Sequence, residues 1–135
     1  MANRLQIALY KEVLYLLEQD VLSVADADAA VSWGPGLRWG IMGPNLQFHL
    51  AGGAGGMKHF FEGVFEGLLP MFKTLGNPTI TPELKAKVTE GVLQEAGNRS
   101  VEQLAQDENQ KLVALLRLRA DESAAEEKLA TAAAS

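Results

Sequence analysis

Residues 34–60 read GPGLRWGIMGPNLQFHLAGGAGGMKHF, and this stretch decides the fold. It holds most of the chain's 13 glycines, yet it also carries large apolar side chains such as Trp39 and Phe48. Flexible linkers are polar, so a segment with this much apolar surface should pack along an unusual backbone path. Pro44 suits the first turn of a short helix, which we expect to run to Leu50 and to lead into a glycine loop.

Helical spacing precedes this stretch. Apolar residues recur every three or four positions in a first helix, which should end near Asp20. Its apolar residues are Leu5, Leu9, Val13, Leu16 and Leu17. Ser23, with Asp26 three residues later, predicts the start of a second helix that ends near Trp33. Gly34 is expected to adopt the left-handed conformation that often follows a helix.

Helical spacing also follows the glycine loop. A helix is predicted to carry Met57, Phe60, Phe61, Val64, Phe65 and Leu68. Residues 70–82 look like a connector, and Thr81 with the following proline predicts a helix that stops at Gly97. Ser100 and Gln103 form a capping box for the last helix.

The whole pattern predicts an all-α fold, because no segment shows sustained strand alternation. We expect one domain of about five to six helices over residues 1–120. Residues 121–135 are rich in alanine and glutamate and have little apolar surface to bury, which predicts a flexible or frayed tail.

The composition excludes several functional classes. The formal net charge is -5, and the 12 basic residues form no concentrated stripe for nucleic acid. The absence of cysteine excludes disulfides and thiolate chemistry and fits a reducing cytoplasm. No apolar run reaches the roughly 20 residues of a membrane-spanning helix. We therefore expect a cytoplasmic protein that binds neither nucleic acid nor a membrane.

Two features could be taken for cofactor sites. His49 and His59 lack the neighbouring carboxylates or cysteines of a metal centre, so no metal site is predicted. Residues 52–56 are glycine-rich, but they follow an expected helix and lack the Lys-Ser/Thr pair of a phosphate loop. No cofactor-binding residue is predicted in the chain.

A combination of short motifs gives the chain a family resemblance. The motifs are NRL at 3–5, GPGLRWGIMGP at 34–44, HLAGG at 49–53, GGM at 55–57, HF at 59–60 and NRSVE at 98–102. From Asn3 to about Arg119 the chain resembles the C-terminal domain of the 3-hydroxyacyl-CoA dehydrogenase family. Around His49 it is more similar to the branch with L-carnitine dehydrogenase and L-gulonate 3-dehydrogenase (lambda-crystallin) than to the fatty-acid oxidation branch.

The resemblance implies part of a two-domain oxidoreductase. In this family an N-terminal Rossmann domain binds NAD, while the helical C-terminal domain, similar to that of 6-phosphogluconate dehydrogenases, closes over the substrate and forms a homodimer. We expect the Rossmann domain to be missing from this chain and to be supplied in cis or in trans. The chain alone should then be inactive, and the substrate would be a small 3-hydroxy acid or an acyl-CoA, as in carnitine or fatty acid metabolism. The alternative is a non-enzymatic helical module that retains only self-association.

Four residues are candidates for the site. Asn3 matches the family's active-site asparagine, although from the residues alone asparagine at a helix start is also a common cap. Arg38 could pair with a substrate carboxylate or bridge an acidic side chain. Trp39 could contact substrate or pack in the core, as Trp33 could pack to anchor the second helix. His49 could donate to a substrate oxyanion or be a satisfied structural histidine.

Overall fold

The protein folds as a series of helices. The computed structural model describes the backbone of residues 1–133 and the side chains of residues 1–120, and these described residues contain no strand. The α-helices are α1 (Ala2–Glu18), α2 (Val24–Trp33), α3 (Pro35–Trp39), α4 (Pro44–Ala51), α5 (Gly56–His59), α6 (Phe65–Phe72), α7 (Pro82–Ala96) and α8 (Val101–Ala133). A 3-10 turn spans Gly53–Gly55, and a π-helical turn spans Phe60–Val64. The predicted all-α class is confirmed.

The chain divides into two compact units, Met1–Glu95 and Ala96–Ser135. The first contains α1 to α6 and nearly all of α7, and the second contains α8. The predicted domain over residues 1–120 therefore spans both units. The flexible or frayed tail predicted over 121–135 lies outside the residues whose side chains are described. Over the described part of the chain, no helix combines the length and apolarity needed to cross a bilayer.

Side-chain caps fix three helix starts where the sequence placed them. The backbone N–H of Asp26 donates to Ser23 Oγ at 3.1 Å at the start of α2. At the start of α8, Gln103 N–H donates to Ser100 Oγ at 3.2 Å, and Ser100 N–H donates to Gln103 Oε1 at 2.8 Å. Thr81 Oγ1 likewise accepts from the backbone of α7. Each cap satisfies a donor that the first helical turn leaves free.

The backbone between α2 and α3 differs from the prediction. Gly34 has φ −93° and ψ −116°, so the expected left-handed conformation is wrong. The chain turns directly into α3 at Pro35, and this path brings Gly34 against the preceding helix. A Cβ on Gly34 would lie 2.3 Å from the carbonyl oxygen of Ala30. Close backbone approach, rather than a positive φ, therefore accounts for this glycine.

One helix runs further than the sequence suggested. Residues 70–82 were expected to form a connector, but α6 continues through Pro70 to Phe72. Proline costs the helix a single backbone donor here, and Lys73 N–H still bonds the carbonyl of Pro70 at 3.1 Å.

The core of the first unit lies where α1, α2 and α7 meet. Leu17, Val24, Ala27 and Leu84 are buried together, and Val13, Leu22 and Val88 pack against them. Gly91 of α7 allows the close approach, because a Cβ there would lie 2.3 Å from Val24 Cγ2. The second half of α1 is therefore held by apolar contact on two sides.

Polar contacts tie the same helix to the segment before α7. Glu12 accepts a hydrogen bond from Gly76 N–H at 2.7 Å, and Glu18 accepts one from Thr79 N–H at 2.9 Å. Lys87 donates to the Leu17 carbonyl and forms an ion pair with Asp20 at the end of α1. The first unit thus closes through carboxylates that satisfy backbone donors of an irregular segment.

Substitution in the core should separate buried from exposed leucines of α7. Leu84→Ala should lower the free energy of unfolding by about 3 kcal/mol, because the side chain is only 5% exposed. Leu93→Ala, on the same helix but 66% exposed, should lower it by less than about 0.5 kcal/mol. Urea unfolding followed by circular dichroism measures both, and equal losses would contradict this core.

Candidate functional site

Two histidines bind the glycine loop between α4 and α5 at its opposite ends. His49, on α4, accepts a hydrogen bond at Nδ1 from the backbone N–H of Met57 at 3.1 Å. His59, on α5, lies with Nδ1 2.9 Å from the carbonyl oxygen of Gly52. Each imidazole therefore uses its Nδ1 for a backbone group of the loop.

The loop is compact, and its glycines are required either by close contacts or by a positive φ. Gly56 has φ 58° and ψ −149°, a region that is essentially restricted to glycine. A Cβ on Gly56 would lie 2.5 Å from Cε1 of His49, and one on Gly52 would lie 1.8 Å from the carbonyl oxygen of Gly56. The glycines therefore allow the loop to fold against itself and against the His49 ring. This accounts for them without a phosphate ligand.

A phenylalanine cluster supports the loop from the other side. Phe60 is 2% exposed and stacks on Phe48 of α4, with ring centroids 4.8 Å apart. Phe61 and Phe65 meet edge to face at 5.1 Å, and Phe72 extends the cluster. Phe60 is therefore core, whereas Phe61 is about half exposed. The stacking fixes α4 against the π-helical turn, so His49 and His59 contact the two ends of one loop.

Asn3 lies in the first turn of α1. The N-cap of this helix is Met1, with no side-chain capping hydrogen bond. The interpretation of Asn3 as the helix cap is therefore wrong. The carboxamide is exposed and, among the described residues, has no hydrogen-bond partner. The carboxamide is therefore accessible to a ligand. The role of Asn3 as the family's active-site asparagine stays a prediction.

Arg38 and Trp39 lie at the end of α3. The carbonyl of Arg38 accepts hydrogen bonds from Ile41 and Met42 at 3.1 and 2.9 Å, which close the turn after the helix. The guanidinium forms no ion pair with any described residue, so the bridge to an acidic side chain is wrong for this part of the chain. Trp39 is partly exposed, and Trp33, expected to anchor α2, is 78% exposed.

The predicted site residues come from three neighbourhoods. The helix α3 packs against α2 and α4, which places Arg38 and Trp39 on an element beside that of His49. Asn3 lies on α1. Within the described residues, no hydrogen bond or ion pair joins any two of Asn3, Arg38, Trp39 and His49. The four are therefore separate polar and aromatic groups in this chain.

The structure also shows features that the sequence did not predict. An open groove of about 410 Å³ lies between α1 and α2, and one of about 430 Å³ lies between α1 and α7. Tyr10 lines both. Ile7, Tyr10 and Leu14 follow helical spacing, so the sequence did contain the signal for a second apolar stripe. The described residues hold no cluster of three or more possible metal ligands.

Comparison with protein families shows that the first 95 residues of the chain match one family model. The family model described as the C-terminal domain of 3-hydroxyacyl-CoA dehydrogenase matches residues 1–95. This range coincides with the first compact unit, Met1–Glu95. The match agrees with the resemblance found from the motifs.

Several known proteins similar to the chain are named L-carnitine dehydrogenase. An L-carnitine dehydrogenase of Oceanobacillus iheyensis is 41% identical over 117 residues, which cover 87% of this chain and 38% of that protein. The L-carnitine dehydrogenase of Streptomyces coelicolor is 39% identical over 116 residues, 86% of this chain and 36% of that protein. That of Pseudomonas aeruginosa is 36% identical over 115 residues, 85% and 36% respectively. The chain thus spans less than two fifths of each relative's length.

Alanine at two glycines of the loop should have unequal effects. Gly56→Ala should destabilise the loop by more than about 2 kcal/mol, because alanine is strained at this φ and its Cβ would collide with the His49 ring. Gly53→Ala shares the positive φ but meets no atom within 4 Å, and should cost about 1 kcal/mol. Hydrogen exchange at the Met57 amide should therefore accelerate more in Gly56→Ala. Equal acceleration would contradict the packing of His49 on Gly56.

Proposed function

We propose that this chain, which belongs to the family of 3-hydroxyacyl-CoA dehydrogenase C-terminal domains, forms the substrate-binding and dimerisation part of an NAD-dependent oxidoreductase. The reaction would oxidise a 3-hydroxy acid or a derivative of one. Family membership carries this proposal, and the relatives named L-carnitine dehydrogenase narrow it to small carboxylated substrates. A reducing cytoplasm suits a chain without cysteine.

Asn3 is the proposed catalytic residue. Its carboxamide can donate to a carbonyl oxygen and accept from a hydroxyl, so it can hold both the alcohol and the ketone at the reacting carbon. It lies in the first turn of α1, whose other end is fixed by the core. The exposed and unpartnered carboxamide is therefore carried on a rigid element, as precise orientation requires.

Arg38, Trp39 and His49 are the proposed substrate-binding residues. A guanidinium without an ion pair in the described chain can form a bidentate pair with a substrate carboxylate. Trp39 is exposed enough to cover the carbon chain of a bound acid. A 3-hydroxy acid offers such a carboxylate two carbons away from the carbon that bears its hydroxyl group.

The described residues do not fit NAD. The glycine loop follows α4 rather than a strand. Gly52 is contacted closely by the loop's own backbone, Gly55 by His59 and Gly56 by His49. A dinucleotide site needs a strand, a glycine turn and a helix that points its N-terminus at the pyrophosphate. We therefore place the cofactor on a Rossmann domain, in cis or in trans. That domain would supply the hydride acceptor.

Exposed apolar surface supports self-association. Among the described residues of the first unit, strongly exposed apolar side chains include Leu5, Ile7, Leu37, Leu46, Leu50, Met71 and Phe72. Exposed apolar groups that form a contiguous patch mark an interaction surface in soluble proteins. A homodimer would cover part of this surface, and a nucleotide-binding domain could cover another part.

The proposal is tested by mixing the chain with the nucleotide-binding domain of one of its relatives. NADH formation from L-carnitine or another 3-hydroxy acid should require both components. A folded, dimeric chain that gives no NADH with any partner domain would instead favour the non-enzymatic self-association module. The exposed apolar surface is the observation that supports self-association as this second function.

Replacing Asn3 with aspartate should separate catalysis from stability. Asn3→Asp keeps the shape but removes the amide donor, so turnover of the reconstituted enzyme should fall about a hundredfold. The first turn of α1 has no acidic residue, so the added carboxylate should leave the melting temperature unchanged or raise it. Initial rates and thermal unfolding measure the two effects. Unchanged turnover would remove Asn3 from the catalytic site.

A further inference from the structure

We infer that His49 and His59 are held in opposite tautomers by the glycine loop, and that His49 thereby presents an Nε2–H donor to the substrate carboxylate. The tautomers follow from the structure alone. The substrate contact rests on the proposed function, which it makes more specific. His59 is a positioning residue that acts through the loop.

The partner of His49 determines where its proton lies. The backbone N–H of Met57 can only donate, so Nδ1 of His49, 3.1 Å away, must accept. A neutral imidazole that accepts at one nitrogen carries its proton on the other. His49 is therefore neutral in this arrangement, with the proton on Nε2.

The partner of His59 imposes the opposite arrangement. The carbonyl oxygen of Gly52 can only accept, so Nδ1 of His59, 2.9 Å away, must donate. The neutral His59 ring then has Nε2 unprotonated. Two histidines ten residues apart therefore contact one loop with the same atom in opposite roles.

The two bonds together hold the loop at both ends. Gly52 directly follows α4, and Met57 lies in the first turn of α5. The ring of His49 also lies against Gly56, where a Cβ would be 3.1 Å from Nε2. Loss of the His59 bond would release the start of the loop and loosen the contact that orients His49.

The free nitrogen of His49 can act as a directional donor. Within the described part of the chain, Nε2 of His49 has no hydrogen-bond partner, and the residue is exposed. An N–H donor forms its stronger hydrogen bonds with charged acceptors, which favours a carboxylate over an ester or amide. Arg38 would attract the carboxylate of the same class of substrate by its positive charge. The N–H of His49 would orient that carboxylate through a directional hydrogen bond.

Nuclear magnetic resonance of the ¹⁵N-labelled chain tests the tautomers directly. Long-range ¹H–¹⁵N spectra at neutral pH should show the proton on Nε2 for His49 and on Nδ1 for His59. His49→Gln and His59→Gln assign the two rings, because each removes one set of signals. The same tautomer in both rings, or a proton on Nδ1 of His49, would overturn the inference.

Acid and ester substrates test the donor role in the reconstituted enzyme. His49→Phe should raise KM for 3-hydroxybutyrate about tenfold and leave KM for its methyl ester nearly unchanged. His59→Phe should raise the same KM less, leave kcat unchanged, and remove the single tautomer of His49. Lys58→Ala is the matched control, since its side chain is exposed on α5 and its ion pair within the described chain is with exposed Glu62. An unchanged ratio of acid to ester KM in His49→Phe would overturn the donor role.

The two proposals can fail separately. If no mixture of domains produces NADH, the proposed function fails, and titration of the labelled chain then decides the donor role. In that titration 3-hydroxybutyrate should shift the Nε2 resonance of His49, and its methyl ester should not. Equal shifts with acid and ester, or no shift with either, would overturn the donor role whatever the enzyme assay shows.

Discussion

The first unit depends on how α1 is held. This helix carries Asn3 in its first turn and contributes Leu17 to the core from its last turn. Leu17 packs with Leu84 and Val24, while Glu12 and Glu18 accept backbone hydrogen bonds from the segment before α7. A carboxylate that accepts from a backbone N–H forms a charge-assisted hydrogen bond. Such a bond is stronger than a hydrogen bond between two neutral groups. The end of α1 distant from Asn3 is therefore fixed, and the N-terminal turn projects from it into an open region.

The sequence predicted the parts of this fold that depend on neighbours in the chain. The caps at Ser23 and Ser100 join residues three positions apart, so residue type and spacing were sufficient to find them. Pro44 likewise marked the start of α4. The errors arose where contact between distant groups decides the outcome. Gly34 is required because its backbone lies close to the carbonyl oxygen of Ala30. Trp33 is exposed, although tryptophan side chains are usually well buried.

The candidate site was predictable to a smaller extent, for the same reason. Motif resemblance selected Asn3, Arg38, Trp39 and His49, but the spacing could not show that His49 accepts from Met57 across the loop. That bond exists because Phe48 stacks on Phe60 and brings α4 beside the π-helical turn. The sequence showed glycines and histidines close together. Only the fold shows that Gly56 has to be small because the His49 ring occupies the space beside it.

The exposed surface of the first unit bears on how such a site could work. In the described chain Asn3 and Arg38 lack side-chain partners, and Trp33 lies largely in water. Polar groups in water are weak orienting elements, because solvent competes for every hydrogen bond. Covering the same surface with a second domain would exclude that water and strengthen each contact with a bound acid. The His49 ring does not need such a cover for its orientation, because the hydrogen bond from Met57 fixes the ring within the chain.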